Sequence, residues 1–264
     1  MADYDYLSFT TDYGLADGFV AACHGVAWTV APHARLLDIT HLVPPGDVRR
    51  GARILAQTVP DLPERGVHVA VVDPGVGTAR RAVAIETPRG ALVGPDNGLL
   101  IPAAAALGGI VCAVELVNAT LHRQQVSHTF HGRDIFTPVA AHLVNGVELV
   151  DAGPTITDLV ELPAPVLRHG EGWVEGEVLV VDQFGNVQLA AGTDELALLG
   201  SQVSMRGETV PVGETFGAVP PGELVAYLDS AGRLAIAVNG GSAAARLGVS
   251  AGEVLRLWAT SSRS

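Results

Sequence analysis

Two carboxylates in this sequence stand at the ends of apolar runs and just ahead of turn residues, where an acid can meet a ligand. Asp73 follows the run 67–72, which only His68 interrupts, and leads into Pro74-Gly75-Val76-Gly77-Thr78-Ala79-Arg80-Arg81. A short apolar run bounded by turn residues reads as a buried strand. Proline pre-sets one backbone angle and glycine tolerates positive φ, so the chain is expected to turn just after Asp73. An acid is thereby placed at the carboxyl end of a strand, the edge at which open α/β sheets bind ligands. A plainer arrangement fits the same residues, with Asp73 capping its own turn and the two arginines solvated. Asp12, within Phe9-Thr10-Thr11-Asp12-Tyr13-Gly14, repeats the pattern and admits the same two readings. A third group is Thr129-Phe130-His131-Gly132-Arg133-Asp134, in which a histidine has an aromatic, a glycine, an arginine and an acid close by to orient it. The fourth, Asp182-Gln183-Phe184-Gly185-Asn186, has an ordinary explanation as a hairpin turn with glycine and asparagine at positive φ.

The elements that must hold these groups follow from the spacing of apolar residues. Strands are expected at 6–10, 36–39, 67–72, 82–86 and 91–93, and helices at 17–30, 47–58 and near 102–107. In the first helix Phe19, Val20, Cys23, Val26 and Ala27 can share one face; the second is capped by Gly46 or Asp47. Strands alternating with helices imply an α/β domain with a partly parallel sheet and flanking helices, assigned to residues 1–160. Pro154, Pro163 and Pro165, then Gly170-Glu171-Gly172, change the texture, and 161–172 reads as a linker. Beyond it, short strand-like runs at 173–181, 186–190, 202–205, 224–227 and 234–238 are separated by turn signals, which suggests an all-β domain, barrel or sandwich, over 173–264.

Composition excludes several classes of function. A formal net charge of −12 over 264 residues argues against nucleic acid or an anionic membrane as partner. Cys23 and Cys112 sit in apolar settings and read as small buried hydrophobes. His24, His33, His41, His68, His122, His128, His142 and His169 follow no metal-ligand spacing, so neither a metal nor a cofactor is expected. No basic leader is seen, and no apolar run, 101–114 included, is long enough to span a bilayer; the negative charge fits a cytoplasmic enzyme.

Taken in order, the four groups with Gly94-Pro95-Asp96-Asn97-Gly98 and Asn239-Gly240-Gly241-Ser242-Ala243 resemble the S-adenosyl-L-methionine hydroxide adenosyltransferases, relatives of the fluorinase and chlorinase. The likeness covers nearly the whole chain. It implies an N-terminal α/β domain and a C-terminal β-barrel, a homotrimer with active sites between subunits, and hydrolysis of S-adenosyl-L-methionine to adenosine and methionine by displacement at ribose C5′. The family's aspartate, arginine and histidine carry over onto Asp73, Arg80 and His131, with Arg81 standing as the alternative arginine. Asp12 corresponds to the ribose ligand. Asp182 and Asn186 correspond to residues that hold the methionine end or the nucleoside, Phe184 to a flat surface for adenine, and Asn239 and Gly240 to contacts with the adenine edge. Asn97 is carried over as a further binding residue. Which group takes the water's proton stays open.

Departures from the halogenating relatives bear on the nucleophile. Those enzymes lack an acid at the position of Asp73 and have tyrosine and a small residue, serine in the fluorinase, at His131-Gly132; Gly46 and Gln188 replace two of their tryptophans. An anionic Asp73 repels halide, by several kcal/mol at a few ångströms in a dry site, so hydroxide transfer is the expected reaction. A halide-dependent adenosyltransferase and a catalytically silent nucleoside-binding module are the competing readings.

Overall fold

The structure, a computed structural model, describes residues 4–260, and these fall into two units divided between Leu162 and Pro163. The first is built on a six-stranded sheet of β1 (Tyr6–Thr11), β2 (Arg35–Thr40), β3 (Gly66–Val71), β4 (Ala82–Thr87), β5 (Gly90–Pro95) and β6 (Cys112–Glu115), in the order β2-β1-β3-β5-β4-β6. Pairing is parallel from β2 to β5, and β4 runs antiparallel to both of its neighbours. Strand β3 shows why the sheet lies between two layers. Val67, Val69 and Val71 enter one apolar core with Cys23 and Ala27 of α1 (Phe19–Val30) and with Val139, Ala140 and Leu143 of α4 (Thr137–Val144). Ala70 enters the opposite core, with Ala52 and Leu55 of α2 (Val48–Thr58) and Ala103 and Ala104 of α3 (Ile101–Ala106). The alternation is the two-residue period of a strand covered on both faces.

The apolar run that marks β3 holds one polar residue, His68, which is 1% exposed and hydrogen-bonds through Nδ1 to Ser8 Oγ on β1 at 2.7 Å. Burial pushes its pKa down to about 4. The unfolded chain therefore binds a proton between pH 6.5 and 4 that the folded chain refuses, so this contribution to stability is complete above about pH 6.5 and lost as pH falls. Urea unfolding at pH 7 and pH 5 is expected to show a loss of about 2 kcal/mol that His68→Gln removes; equal pH dependence in the two proteins would contradict it.

The second unit is antiparallel. Its strands β7 (Leu167–Gly170), β8 (Trp173–Val181), β9 (Val187–Gly192), β10 (Gln202–Met205), β11 (Glu208–Pro211), β12 (Leu224–Leu228), β13 (Arg233–Val238) and β14 (Val254–Ala259) run in the order β11-β10-β14-β8-β9-β13-β12, with β7 paired to β8. A bridge from Val212 to Ala226 links the end of β11 to β12, so the sheet curls into a nearly closed barrel around Val178, Leu189, Val203, Leu234 and Leu257. Closure removes exposed strand edges. Two short helices, α5 (Thr193–Ala197) and α6 (Ala243–Leu247), complete it.

The expected fold class holds in both halves, with differences of detail. The stretch expected as a linker, 161–172, contains β7, whose pairing with β8 satisfies backbone that the prolines and glycines made look like connection. Strands β6, β11 and β14 and helices α4, α5 and α6 lie outside the expected ranges: α4 is apolar nearly all round because it is buried, which erases helical amphipathicity. Among the described residues no helix is long and apolar enough to cross a membrane, and Cys23 and Cys112 are free.

Candidate active site

Register along the parallel pair β1 and β3 sets Thr11 beside Val71, so the acids that follow each strand emerge together at the carboxyl edge of the sheet. Asp12 accepts the Gly46 N–H at 2.8 Å, which fixes the loop ahead of α2 over it. After Asp73 the chain turns at once, with the Val76 N–H on the Asp73 carbonyl and Thr78 bonded to the Gly75 carbonyl through both its N–H and its hydroxyl. Gly77 has φ +77°, and a Cβ there would lie 2.5 Å from the His128 carbonyl oxygen. Only glycine lets this turn close on the loop that carries His131.

Arg80 folds back across the turn. Its Nε donates to Asp73 Oδ2 at 2.9 Å and Oδ1 at 3.1 Å, and Nη2 also donates to Oδ2. Nη2 reaches His131 Nδ1 as well, at 2.9 Å, and the guanidinium lies over the Phe136 ring at 5.1 Å. Side-chain exposure is 11% for Arg80 and 5% for Asp73, so this is a buried ion pair rather than the solvated surface arginine that the turn alone suggested. Arg81 points elsewhere, holding Asp96 and Asp158. Arg80 is thus the arginine that meets both Asp73 and His131.

His131 precedes a π-helical turn, Gly132–Phe136, an irregularity often found at functional sites. Asp134 in that turn does not bond His131. Its carboxylate is fully buried and accepts from Arg133, Arg123 and the Ser127 N–H, tying down the loop before it. Burial alone would raise the Asp134 pKa, but the hydrogen bonds from Arg133, Ser127 and Arg123 outweigh it and hold it below the usual carboxylate range. Burial, with Arg80⁺ alongside, pushes the His131 pKa down despite the opposing pull of Asp73. Arginine has no acceptor, so Nδ1 must be the accepting nitrogen, and the neutral ring carries its proton on Nε2.

A cavity of about 260 Å³ is lined by Asp12, Tyr13, Gly46, Asp73, Thr129, Phe130, His131 and Gly132, among others. A second recess shares Asp12, Tyr13, Thr129 and Phe130 and adds Phe19 and Arg133. Phe19, expected to share a face with the buried Cys23 and Ala27, is instead 45% exposed and stacks edge-on to Phe130 at this wall. Tyr13 went unassigned in the sequence although it adjoins Asp12. Its ring packs on Phe130 and Phe19, and its hydroxyl reaches the place where a side chain at residue 132 would begin. Burial pushes its pKa well above 10, with Asp12 and Asp73 adding to the effect, so the phenol stays protonated. Asn97 lies behind the cavity, donating to the Val72 carbonyl at 2.9 Å and so bracing the residue before Asp73.

In the second unit Asp182 and Asn186 close a tight turn on each other. Asp182 accepts from the Phe184 and Asn186 N–H groups and from the Asn186 amide; of the two positive-φ residues that the hairpin reading expected, Gly185 has it, at +83°, and Asn186 does not. Phe184 is left 69% exposed at the tip. The Ala244 N–H bonds the Gly185 carbonyl, which brings the turn beside Asn239-Gly240-Gly241-Ser242. Asn239 is engaged with Val219, Gly222 and Glu223, whereas a side chain on Gly240, at φ +77°, would meet only open space.

Residues 7–153 match the N-terminal domain, and residues 176–256 the C-terminal domain, of SAM hydroxide adenosyltransferase. The chain belongs to this family. It is 58% identical over 261 residues to an (R)-S-adenosyl-L-methionine hydrolase of Salinispora tropica, covering 98% of this chain and 100% of that protein. A fluorinase of Nocardia brasiliensis is 30% identical over 284 residues, covering 93% and 94%. Among solved structures, a protein of Thermotoga maritima described as an uncharacterized conserved protein superposes with a TM-score of 0.88 at 38% identity, over 96% of this chain and 99% of that one. The identities place the chain nearer the hydrolase than the halogenating branch.

Proposed function

We propose that the protein hydrolyses S-adenosyl-L-methionine to adenosine and L-methionine, and that Asp73, Arg80 and His131 prepare the attacking water. The observation that carries this reading is the hydrogen-bonded chain Asp73–Arg80–His131 opening on a cavity with Asp12 on its wall. The water oxygen forms a bond to C5′ as the C5′–S bond breaks; the electron pair goes to sulfur, and methionine leaves as a neutral thioether without needing an acid. His131, with its proton on Nε2, donates toward the water, so the water's proton passes to Asp73 and then to solvent. Arg80 holds the aspartate and the ring in place and counters the hydroxide charge as it develops. Two carboxylates at one sheet edge suit a cationic sulfonium and oppose a halide.

Asp12 takes the ribose hydroxyls in this reading. The walls that meet the adenine and methionine ends of the substrate come from the second unit in this reading. We assign them to Phe184, as the adenine platform, and to the Asp182–Asn186 and Asn239–Gly240 segments of a neighbouring subunit in a cytoplasmic homotrimer, as the family resemblance implies.

A chromatographic time course with S-adenosyl-L-methionine tests the reading. Adenosine and methionine are expected in equal amounts without halide, with kcat level around neutral pH and falling only in acid, below pH 6.5, as His131 gains a proton and repels Arg80. A halogenated nucleoside in chloride would move the protein to the halogenase branch, and intact substrate would favour the silent module.

A further inference from the structure

Away from the cavity, three side chains that share no sequence motif meet at the end of β2. Asp38 Oδ1 lies 2.9 Å from His24 Nε2 on α1 and 3.0 Å from His41 Nε2 in the loop after β2. The three candidate ligand atoms all fall within 4.8 Å of one another. His24 makes an ordinary hydrogen bond to the carboxylate. His41 does not: its side chain is 3% exposed, and its Nε2, buried and facing the same oxygen, has no hydrogen-bond partner. A buried imidazole nitrogen without a partner is costly, unless something between it and the carboxylate accepts its lone pair.

We propose that His24, Asp38 and His41 form a binding site for a divalent transition-metal ion of the zinc type. Two imidazole nitrogens and one carboxylate oxygen are the donor set of that ion and do not suit magnesium or calcium, which prefer oxygen throughout. Ligands about 2.0–2.2 Å from a tetrahedral ion stand roughly 3.3 Å apart, so each pair with Asp38 needs to open by only a few tenths of an ångström. One imidazole has its outer partner: His41 Nδ1 pairs with Thr11 Oγ1 at 2.8 Å, which orients the ring from behind. Asp38, with 41% of its side chain exposed, leaves a fourth position open to water.

Such an ion would tie α1, β2 and the next loop together beside Asp12. The His41 carbonyl accepts the Gly14 N–H at 2.8 Å and its ring holds Thr11, so the residues on either side of the Asp12-Tyr13 pair are both fastened to His41. The site is independent of the proposed hydrolysis, and its test does not rely on activity.

Full-length protein stripped with a chelator and titrated with zinc chloride in a calorimeter is expected to bind one ion per chain at micromolar or tighter affinity, with a rise in melting temperature. His24→Ala and Asp38→Asn, both at partly exposed positions that leave the core intact, are each expected to weaken binding at least 100-fold and to abolish the thermal shift. Absence of binding by the wild-type chain, or zinc binding that both variants retain, would overturn the proposal and leave the cluster a hydrogen-bonded strut.

Discussion

Asp73→Asn is expected to lower kcat for adenosine release by about 10²–10⁴-fold, the range for loss of a positioned proton acceptor. Asparagine keeps the shape and can still accept from Arg80, so the turn survives while the charge that draws the water's proton is gone. Asp73→Ala is the harsher change. It leaves the Arg80 guanidinium, 11% exposed, without its carboxylate, and removing one partner of a buried ion pair costs about 3–5 kcal/mol. The two variants should therefore separate in degree: both inactive and both less stable, with alanine, which also loses the hydrogen bonds to Arg80, at the lower melting temperature. Activity in Asp73→Asn within tenfold of wild type would remove Asp73 from the reaction, and equal melting temperatures would show that the pair contributes little to the fold.

Gly132→Ser, which introduces the fluorinase residue, is expected to abolish activity without conferring halide transfer. A Cβ at position 132 would stand 1.8 Å from the Tyr13 hydroxyl oxygen and 3.0 Å from its Cζ. Tyrosine is rigid, and this ring is confined by Phe130 at 5.5 Å and Phe19 at 6.2 Å, so it cannot swing aside without opening the cavity wall. Overpacking of this kind costs about 1–3 kcal/mol and displaces the neighbouring His131. The clash is with the phenol, so Tyr13→Phe combined with Gly132→Ser should recover most of the lost stability, a coupling that a double-mutant cycle measures directly. Additive melting shifts across the cycle would mean that the two residues do not meet. Position 132 is thus set by Tyr13, and a hydroxyl alone does not convert this pocket into a halide site.

The order of motifs and the alternation of apolar runs made much of this protein legible in advance. Strand β3 with an acid beyond it, the helix over 48–58 and its cap at Asp47, and the many short strands of the second unit rest on local rules: two-residue or 3.6-residue periods, proline and glycine at turns, an acid that accepts the Arg50 N–H. Asp73 and Asp12 stand out because each follows an apolar run and precedes a turn, and His131 because an aromatic, a glycine, an arginine and an acid lie beside it. Sequence alone also favoured hydroxide over halide as the nucleophile, since an acid at position 73 repels a halide, and left the halide-dependent reaction as the competing reading.

Tertiary structure decided which partners those residues take. Arg80 and Arg81 are indistinguishable in the chain, and only the fold sends one to Asp73 and the other to Asp96 and Asp158. The tautomer of His131 follows from Arg80, 51 positions away. Asp134, adjacent to the histidine's turn, braces the loop instead. Tyr13 took its meaning from Gly132, and His24, Asp38 and His41 theirs from one another, because the contacts join elements whose separation along the chain carries no period. Local sequence encodes where backbone turns and which face is apolar; the distances that give a titratable side chain its protonation state and its partner arise only when strands pair in register.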